Sequence, residues 1–272
     1  MCALADNGTE NARFEAEQLL EKAGLSRIKL LTEPNETVSE DIVKTVGGML
    51  EKRLSGYPLQ YLLGEWEFFG LPFAVGDGVL IPRQDTETLA ELARDFLLER
   101  PPEERNTLDL CAGSGCIGIT LAKLCGAWVR CVELSDSALG YLERNIALNG
   151  VENLVTAVKG DVAEEKTADG LGGEFDLIVS NPPYLDEKDM RNLQAEVKYE
   201  PEMALYGGTD GLDIYRKMLG IWTKRLKPGG AFAVEIGINQ EKDVMRIFGE
   251  NGLNADCIKD MCGIYRVVYG VK

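Results

Sequence analysis

The spacing of apolar residues changes twice along the chain, and each change marks a different kind of structure. Up to about Ser55 the spacing is helical. Phe14, Leu19, Leu20 and Ala23 fall in a run that starts near Asn11 and stops at Gly24. Ser39 precedes Glu40 and Asp41, the pattern of a cap followed by an acidic first turn. The helix expected there sets Ile42, Val46, Met49 and Leu50 on one face. Between Tyr57 and Ile81 the pattern becomes aromatic and β-branched (Tyr61, Trp66, Phe68, Phe69, Phe73, Val75), broken at Gly64, Gly70 and Gly76-Asp77-Gly78. That predicts a β-hairpin linking two domains. Asp85 is then expected to cap a helix that turns Leu89, Leu92, Ala93 and Phe96 inward.

After Pro101-Pro102 strand-like and helix-like runs alternate. Strands are expected over residues 107–112, 128–134, 155–160, 175–180 and 231–236, and helices over 116–124, 136–149, 212–226 and 240–249. In the third of these helices Leu212, Tyr215, Leu219 and Trp222 form an apolar stripe. Such alternation builds a parallel, doubly wound α/β sheet with helices on both faces. Two last strand-like runs, 255–259 and 265–271, joined by a tight turn over 260–263, add an antiparallel hairpin at one edge, making seven strands. The expected organisation is an N-terminal helical domain with its linking hairpin over 1–75, and a catalytic domain over 76–272.

Charge and composition narrow the chemistry. Twenty-nine basic against 45 acidic residues give a net charge of −16. A chain this acidic is repelled by free nucleic acid, whose binding depends on Lys and Arg neutralising phosphates. No apolar run approaches the ~20 residues that span a bilayer, and the acidic N-terminus does not read as a signal peptide; a cytoplasmic protein without a membrane partner is expected. The seven cysteines are odd in number and none is spaced as C-x-x-C, so neither a disulfide framework nor a zinc site is indicated. Histidine is absent. That removes Ser-His-Asp triads, Cys-His pairs and histidine-ligated metals, and leaves carboxylates, amides, hydroxyls, backbone groups or a cofactor to do the chemistry.

A candidate cofactor loop is Cys111-Ala112-Gly113-Ser114-Gly115, between an expected strand and an expected helix. Glycines at 113 and 115 allow positive φ and close approach of a ligand, and the helix start offers free N–H groups. Glu133 follows Gly113 at the spacing that lets a carboxylate accept ribose hydroxyls. Gly113, Gly115 and Gly118 also satisfy G-x-G-x-x-G, so the loop alone fits S-adenosylmethionine or NAD.

Asn181-Pro182-Pro183-Tyr184, directly after the strand expected over 175–180, separates these readings. An amide or aromatic amine is a poor nucleophile because its lone pair is delocalised. A site that methylates one must hold its N–H groups and aim the nitrogen. The Asn181 side-chain carbonyl and the Pro182 backbone carbonyl supply two acceptors. The prolines fix φ and extend Asn181, and the Tyr184 ring can pack on a planar group. No general base is needed, because the methylated nitrogen becomes acidic and loses its proton afterwards. Catalysis by alignment suits a chain without histidine.

From Pro58 onward the chain resembles the HemK/PrmC family of protein-glutamine methyltransferases. The likeness is carried by Asn181-Pro182-Pro183-Tyr184 and by longer blocks: Pro58-Leu59-Gln60-Tyr61-Leu62-Leu63-Gly64, Glu67-Phe68-Phe69-Gly70, Leu80-Ile81-Pro82-Arg83-Gln84-Asp85-Thr86-Glu87, Tyr199-Glu200-Pro201 and Glu235-Ile236-Gly237. The resemblance implies a Rossmann-like class I methyltransferase fold and transfer of methyl from S-adenosyl-L-methionine, with S-adenosyl-L-homocysteine as product. The acceptor implied is the glutamine of the Gly-Gly-Gln motif in class I peptide chain release factors. It places the cofactor against Cys111, Ala112, Gly113, Ser114, Gly115, Glu133, Asp161, Val162 and Asn181, and the glutamine against Asn181, Pro182, Pro183 and Tyr184, with Asn181, Pro182 and Tyr184 catalytic. The N-terminal helices and hairpin are expected to grip the protein partner; a monomer is favoured. The chain departs from the family's pattern at Cys111 (often Gly), Glu133 (often Asp), Val162 (sometimes aromatic) and Gly263-Ile264-Tyr265-Arg266. Arg83 and Glu87 either cap the helix near Asp85 or belong to a loop that closes over the cofactor. Glu235 either enters the substrate pocket or only ends a strand. Rival readings are a DNA or RNA amino-methyltransferase, disfavoured by the charge; a NAD oxidoreductase, disfavoured by the lack of histidine; and a non-catalytic cofactor sensor, disfavoured by the intact tetrapeptide.

Overall fold

The computed structural model describes residues 1–33 and 37–272, which fall into two compact units. The first comprises Met1–Glu65 and Gln194–Tyr199. Its helices are α1 (Cys2–Asp6), α2 (Ala12–Lys22), α3 (Arg27–Thr32), α4 (Glu40–Leu54) and α5 (Leu59–Leu63). Ser39 caps α4 as expected, its hydroxyl accepting the Ile42 N–H, and the face of Ile42, Val46, Met49 and Leu50 is half-buried while its neighbours are exposed. Phe14 on α2 is exposed instead of packed, and Leu19 is the buried anchor of that helix. The interior of this unit is partly polar: Arg53 is buried and donates through Nε and Nη2 to both oxygens of Glu15, at 2.6 and 2.9 Å. Its Nη2 also reaches Glu196 at 2.7 Å, so the distant segment 194–199 is tied to the helices by an ion pair. The Tyr57 and Tyr199 rings meet edge-on at 5.2 Å, and Tyr199 donates to the Ser55 carbonyl.

The second unit comprises Trp66–Leu193 and Glu200–Lys272. The hairpin, expected to belong with the N-terminal helices, falls in this unit apart from Glu65 and is shorter than the sequence predicts: β1 (Glu65–Phe68) and β2 (Leu71–Ala74), turned at Phe69 and Gly70, both with positive φ. A one-turn 3-10 segment (Gln84–Thr86) leads into α6 (Glu87–Leu98). Asp85 does not cap this helix; it pairs with Arg266 at 2.8 Å. A tertiary charge has taken the carboxylate that the local pattern assigned to a helix end.

The main sheet is built from β3 (Asn106–Leu110), α7 (Cys116–Cys125), β4 (Trp128–Glu133), α8 (Asp136–Asn149), β5 (Val155–Lys159), α9 (Glu165–Leu171), β6 (Phe175–Ser180), α10 (Glu187–Arg191), α11 (Asp213–Trp222), β7 (Leu226–Glu235), α12 (Glu241–Glu250), β8 (Asn254–Lys259) and β9 (Tyr265–Val271). Its order is β5-β4-β3-β6-β7-β9-β8. Strands β3 to β7 pair in parallel, while β9 runs antiparallel to β7 and β8. Successive residues serve opposite faces, as a period of two requires. Leu108, Leu110, Ile178, Phe232 and Val234 belong to one core cluster, and Cys131, Leu177, Val179, Ala231 and Ala233 to the other. The strand order reverses at β3 and β6, so the crevice for a ligand lies beyond their carboxyl ends. There the Ser180 hydroxyl donates to the Leu110 carbonyl at 2.7 Å, locking the two strand ends together.

Three local expectations are corrected. The helix expected over 212–226 ends at Trp222 and passes through a 3-10 turn (Thr223–Arg225), after which Leu226 already pairs with Phe175 in β7. Residues 227–230 bulge out of register before pairing resumes at Ala231, the distortion that proline and glycine permit in a strand. Helices α9 and α10 were not foreseen: one buries only Ala168 and the other nothing, so neither leaves an apolar period in the sequence.

Candidate functional site

The loop from β3 into α7 is held in an unusual backbone conformation. Cys111, Gly113 and Gly115 all have positive φ, at 58°, 55° and 81°. Cys111 carries the strain of a side chain in the left-handed region, a conformation that favours glycine. The two glycines do different work. A Cβ on Gly113 would meet nothing within 4 Å, whereas one on Gly115 would stand 2.3 Å from Leu142 Cδ1 and 2.9 Å from Ile119 Cδ1. Gly113 opens toward the cavity; Gly115 lets α7 pack against α8.

Glu133 at the end of β4 is buried, and each carboxylate oxygen accepts one backbone N–H: Oε2 from Gly113 at 2.8 Å and Oε1 from Ser135 at 2.7 Å. This fixes the carboxylate against the glycine loop and leaves each oxygen a further lone pair. Asp161, in the loop after β5, accepts the Ala163 N–H at 2.8 Å, and the Val162 carbonyl accepts the Trp222 indole N–H at 2.8 Å. Beneath the loop, Asp109 is 1% exposed; its Oδ2 accepts the Gly118 N–H at 2.9 Å and its Oδ1 has no partner among the described residues. Burial, reinforced by the charge of Glu133 and opposed by the Gly118 N–H, pushes its carboxyl up to about 7. The thiols of Cys111 and Cys116 are also raised by burial, that of Cys116 to about 12, so neither is a thiolate nucleophile.

A second cluster forms where β6 and β7 end. Asn181 Nδ2 donates to Thr86 Oγ1 at 3.1 Å, Thr86 donates to Glu235 Oε2 at 2.6 Å, and the Tyr184 hydroxyl donates to Glu235 Oε1 at 3.3 Å. Glu235 is 1% exposed, and burial raises its carboxyl to about 7 against the opposing hydrogen bond from Thr86. The Tyr184 hydroxyl is raised above its ordinary value by burial and by the charge of Glu235. Gln240 closes the turn, donating to the Tyr184 carbonyl and accepting the Gly237 N–H, both at 2.9 Å. Glu200 is buried and accepts the Ile81 N–H at 3.1 Å and the Arg83 guanidinium, while Glu87 accepts the Phe69 N–H at 2.8 Å. Arg83 and Glu87 therefore bind other loops and do not cap α6.

One cavity joins these clusters. About 950 Å³ of empty space, including its mouth, is walled by Cys111, Ala112, Gly113, Ser114, Glu133, Asp161, Val162, Asn181 and Pro183, with Thr86, Leu80, Arg83 and Met203 among the other lining residues. Gly115, Pro182 and Tyr184 stand outside its wall. The donor set fits a nucleoside with a cationic amino-acid arm: Glu133 offers lone pairs to vicinal hydroxyls, Asp161 adds a second acidic acceptor, Leu134, Ala138 and Val162 give apolar cover, and the backbone at Gly113 leaves room for close approach. The sequence alone did not single out Thr86, although it lies in one of the recognised blocks; a lone threonine carries no local signal.

The chain is similar to known proteins along nearly its whole length. Residues 2–64 match the PrmC N-terminal domain and residues 89–199 the methyltransferase small domain. The chain is 43% identical to a release factor glutamine methyltransferase of Geobacter sulfurreducens, over 98% of this chain and 92% of that protein. It is 38% identical to one of Thermodesulfovibrio yellowstonii, over 95% and 91%. Among solved structures, a methyltransferase from Pyrococcus furiosus shares the fold with a TM-score of 0.55 at 21% identity, over 75% of this chain and 90% of that one.

Proposed function

This chain belongs to the release factor glutamine methyltransferase family, and from that premise we propose how its cavity performs the reaction on the glutamine of the Gly-Gly-Gln motif in class I release factors. It is an S-adenosylmethionine-dependent methyltransferase. When bound, the cofactor supplies an electrophilic methyl group on a sulfonium centre. Glu133, Asp161, Val162 and the loop of Cys111, Ala112, Gly113 and Ser114 hold it, with Gly115 setting the loop's shape from behind. Asn181 accepts one N–H of the glutamine amide through Oδ1, and the Pro182 carbonyl accepts the other, so that the nitrogen lone pair is aimed. Pro183 walls the cavity beside Asn181. Tyr184 backs the tetrapeptide through Glu235 and Gln240. The first unit, with its helices and the segment 194–199, recognises the body of the protein partner.

The observation that carries this reading is the meeting of Glu133 and Asn181 in one cavity wall at the sheet's switch point. Labelled S-adenosylmethionine offered with a purified class I release factor, with its Gln→Ala variant and with duplex DNA tests it. Label on the native factor alone is expected. Label on DNA, or on the Gln→Ala factor, would overturn the assignment of the acceptor.

A further inference from the structure

An asparagine amide can sit in two orientations, and only one presents its carbonyl oxygen to a substrate N–H. We propose that Thr86, held in turn by Glu235, is the positioning residue that fixes the Asn181 amide with Oδ1 turned to the substrate. The inference rests on the reading of Asn181 as an amide acceptor.

The polarity of the contacts runs one way. Glu235 is buried and both its oxygens accept, Oε2 from Thr86 at 2.6 Å and Oε1 from Tyr184 at 3.3 Å. In its ionised form, the one that prevails above pH about 7, the carboxylate has no proton to give. Thr86 has one hydroxyl proton, and it is committed to Glu235. What remains on Oγ1 is a lone pair, which accepts from Asn181 Nδ2 at 3.1 Å. Turning the amide over would set two oxygens against each other with no proton between them. Thr86 is 2% exposed, so water has little room to relieve that repulsion. The preferred amide orientation is thus imposed from two residues away, by a carboxylate outside the cavity wall acting through a hydroxyl that is part of it. Three separate parts of the chain meet to do this: the 3-10 turn before α6, the residue after β6, and the last residue of β7. The arrangement also gives Glu235 a use that neither of its sequence readings contained.

The test is steady-state methyl transfer to a purified release factor by the full-length chain at pH ~8.5, where Glu235, with its carboxyl raised to about 7, is ionised, with calorimetric titration of S-adenosylmethionine on the same proteins. The set is wild type, Thr86→Val, Thr86→Ser, Asn181→Ala and the Thr86→Val/Asn181→Ala pair. Valine keeps the shape of threonine and removes only the hydroxyl. Thr86→Val is expected to lower kcat about tenfold or more, the scale of one hydrogen bond, while cofactor affinity changes little. Thr86→Ser should restore most of the rate. Asn181→Ala alone should cost a factor on the order of 10². In that background Thr86→Val should cost almost nothing more, because it acts only through Asn181. Should the valine variant not fold, Thr86→Ala removes the same hydroxyl and is read in the same way. Wild-type kcat without the hydroxyl, a full additional loss on top of Asn181→Ala, or a loss that serine fails to restore would each overturn the positioning role alone. Full activity of Asn181→Ala would overturn the reading beneath it and the proposal together.

Discussion

The carboxylate of Glu133 accepts the N–H of Gly113 at 2.8 Å, twenty residues back along the chain. With the Ser135 N–H on its other oxygen, this makes Glu133 both a wall of the cavity and a brace of the glycine loop.

Replacing that carboxylate by an amide has a definite consequence. In Glu133→Gln the NH2 must face either the Gly113 or the Ser135 N–H, donor against donor, and one acceptor for the cofactor is lost. Calorimetric titration should show S-adenosylmethionine bound about tenfold or more weakly, in line with loss of a charge-assisted hydrogen bond. Unchanged affinity would remove Glu133 from the cofactor site.

Gly115 is predicted to matter for packing more than for ligand contact. A methyl group there meets Leu142 and Ile119 in a backbone with φ of 81°. Gly115→Ala should destabilise the protein by roughly 1–3 kcal/mol in urea unfolding, the usual cost of overpacking. Shortening the obstructing side chain should give a Gly115→Ala/Leu142→Ala double variant that loses less than the sum of its parts. Strict additivity would mean that the clash is not the cause.

In the first unit, Arg53 and Glu15 form a buried ion pair, whereas Glu196 is substantially exposed. Breaking the buried pair leaves an uncompensated charge. Arg53→Ala is expected to cost about 3–5 kcal/mol, and Glu196→Ala no more than about 1 kcal/mol. Chemical denaturation distinguishes the two, and equal losses would show that the Glu15 contact is not dominant.

Asp109 and Glu235, both with carboxyls raised to about 7 by burial, give stability an acid-side preference. Unfolded carboxyls release their protons near pH 4. Between about 4 and 7 the folded state therefore binds more protons than the unfolded chain, and stability falls as pH rises through that window. The contribution is fully present below the unfolded value and lost above the folded one. Each group adds at most about 1.36 kcal/mol per pH unit. Asp109→Asn removes one titration, so urea unfolding from pH 4.5 to 7.5 should show a shallower decline than wild type; parallel curves would refute the assignment.

The sequence by itself determined the succession of strands in the main sheet, its parallel pairing with an antiparallel edge, the glycine loop with Glu133, and the position of Asn181 at a strand end. These are local properties: a period of two or 3.6, a glycine where φ turns positive, a carboxylate at a fixed spacing. Tertiary structure decided the rest. Gly113 and Gly115 look alike in sequence, yet one faces open space and the other Leu142. Asp85 has the local credentials of a cap, but Arg266 takes it. Residues 194–199 join the helical unit because Arg53 has a lone pair of Glu196 within reach. The contacts among Thr86, Glu235 and Asn181 link residues 95 and 149 positions apart. No spacing rule reaches that far, because such contacts exist only after the sheet has closed and brought its strand ends to one rim.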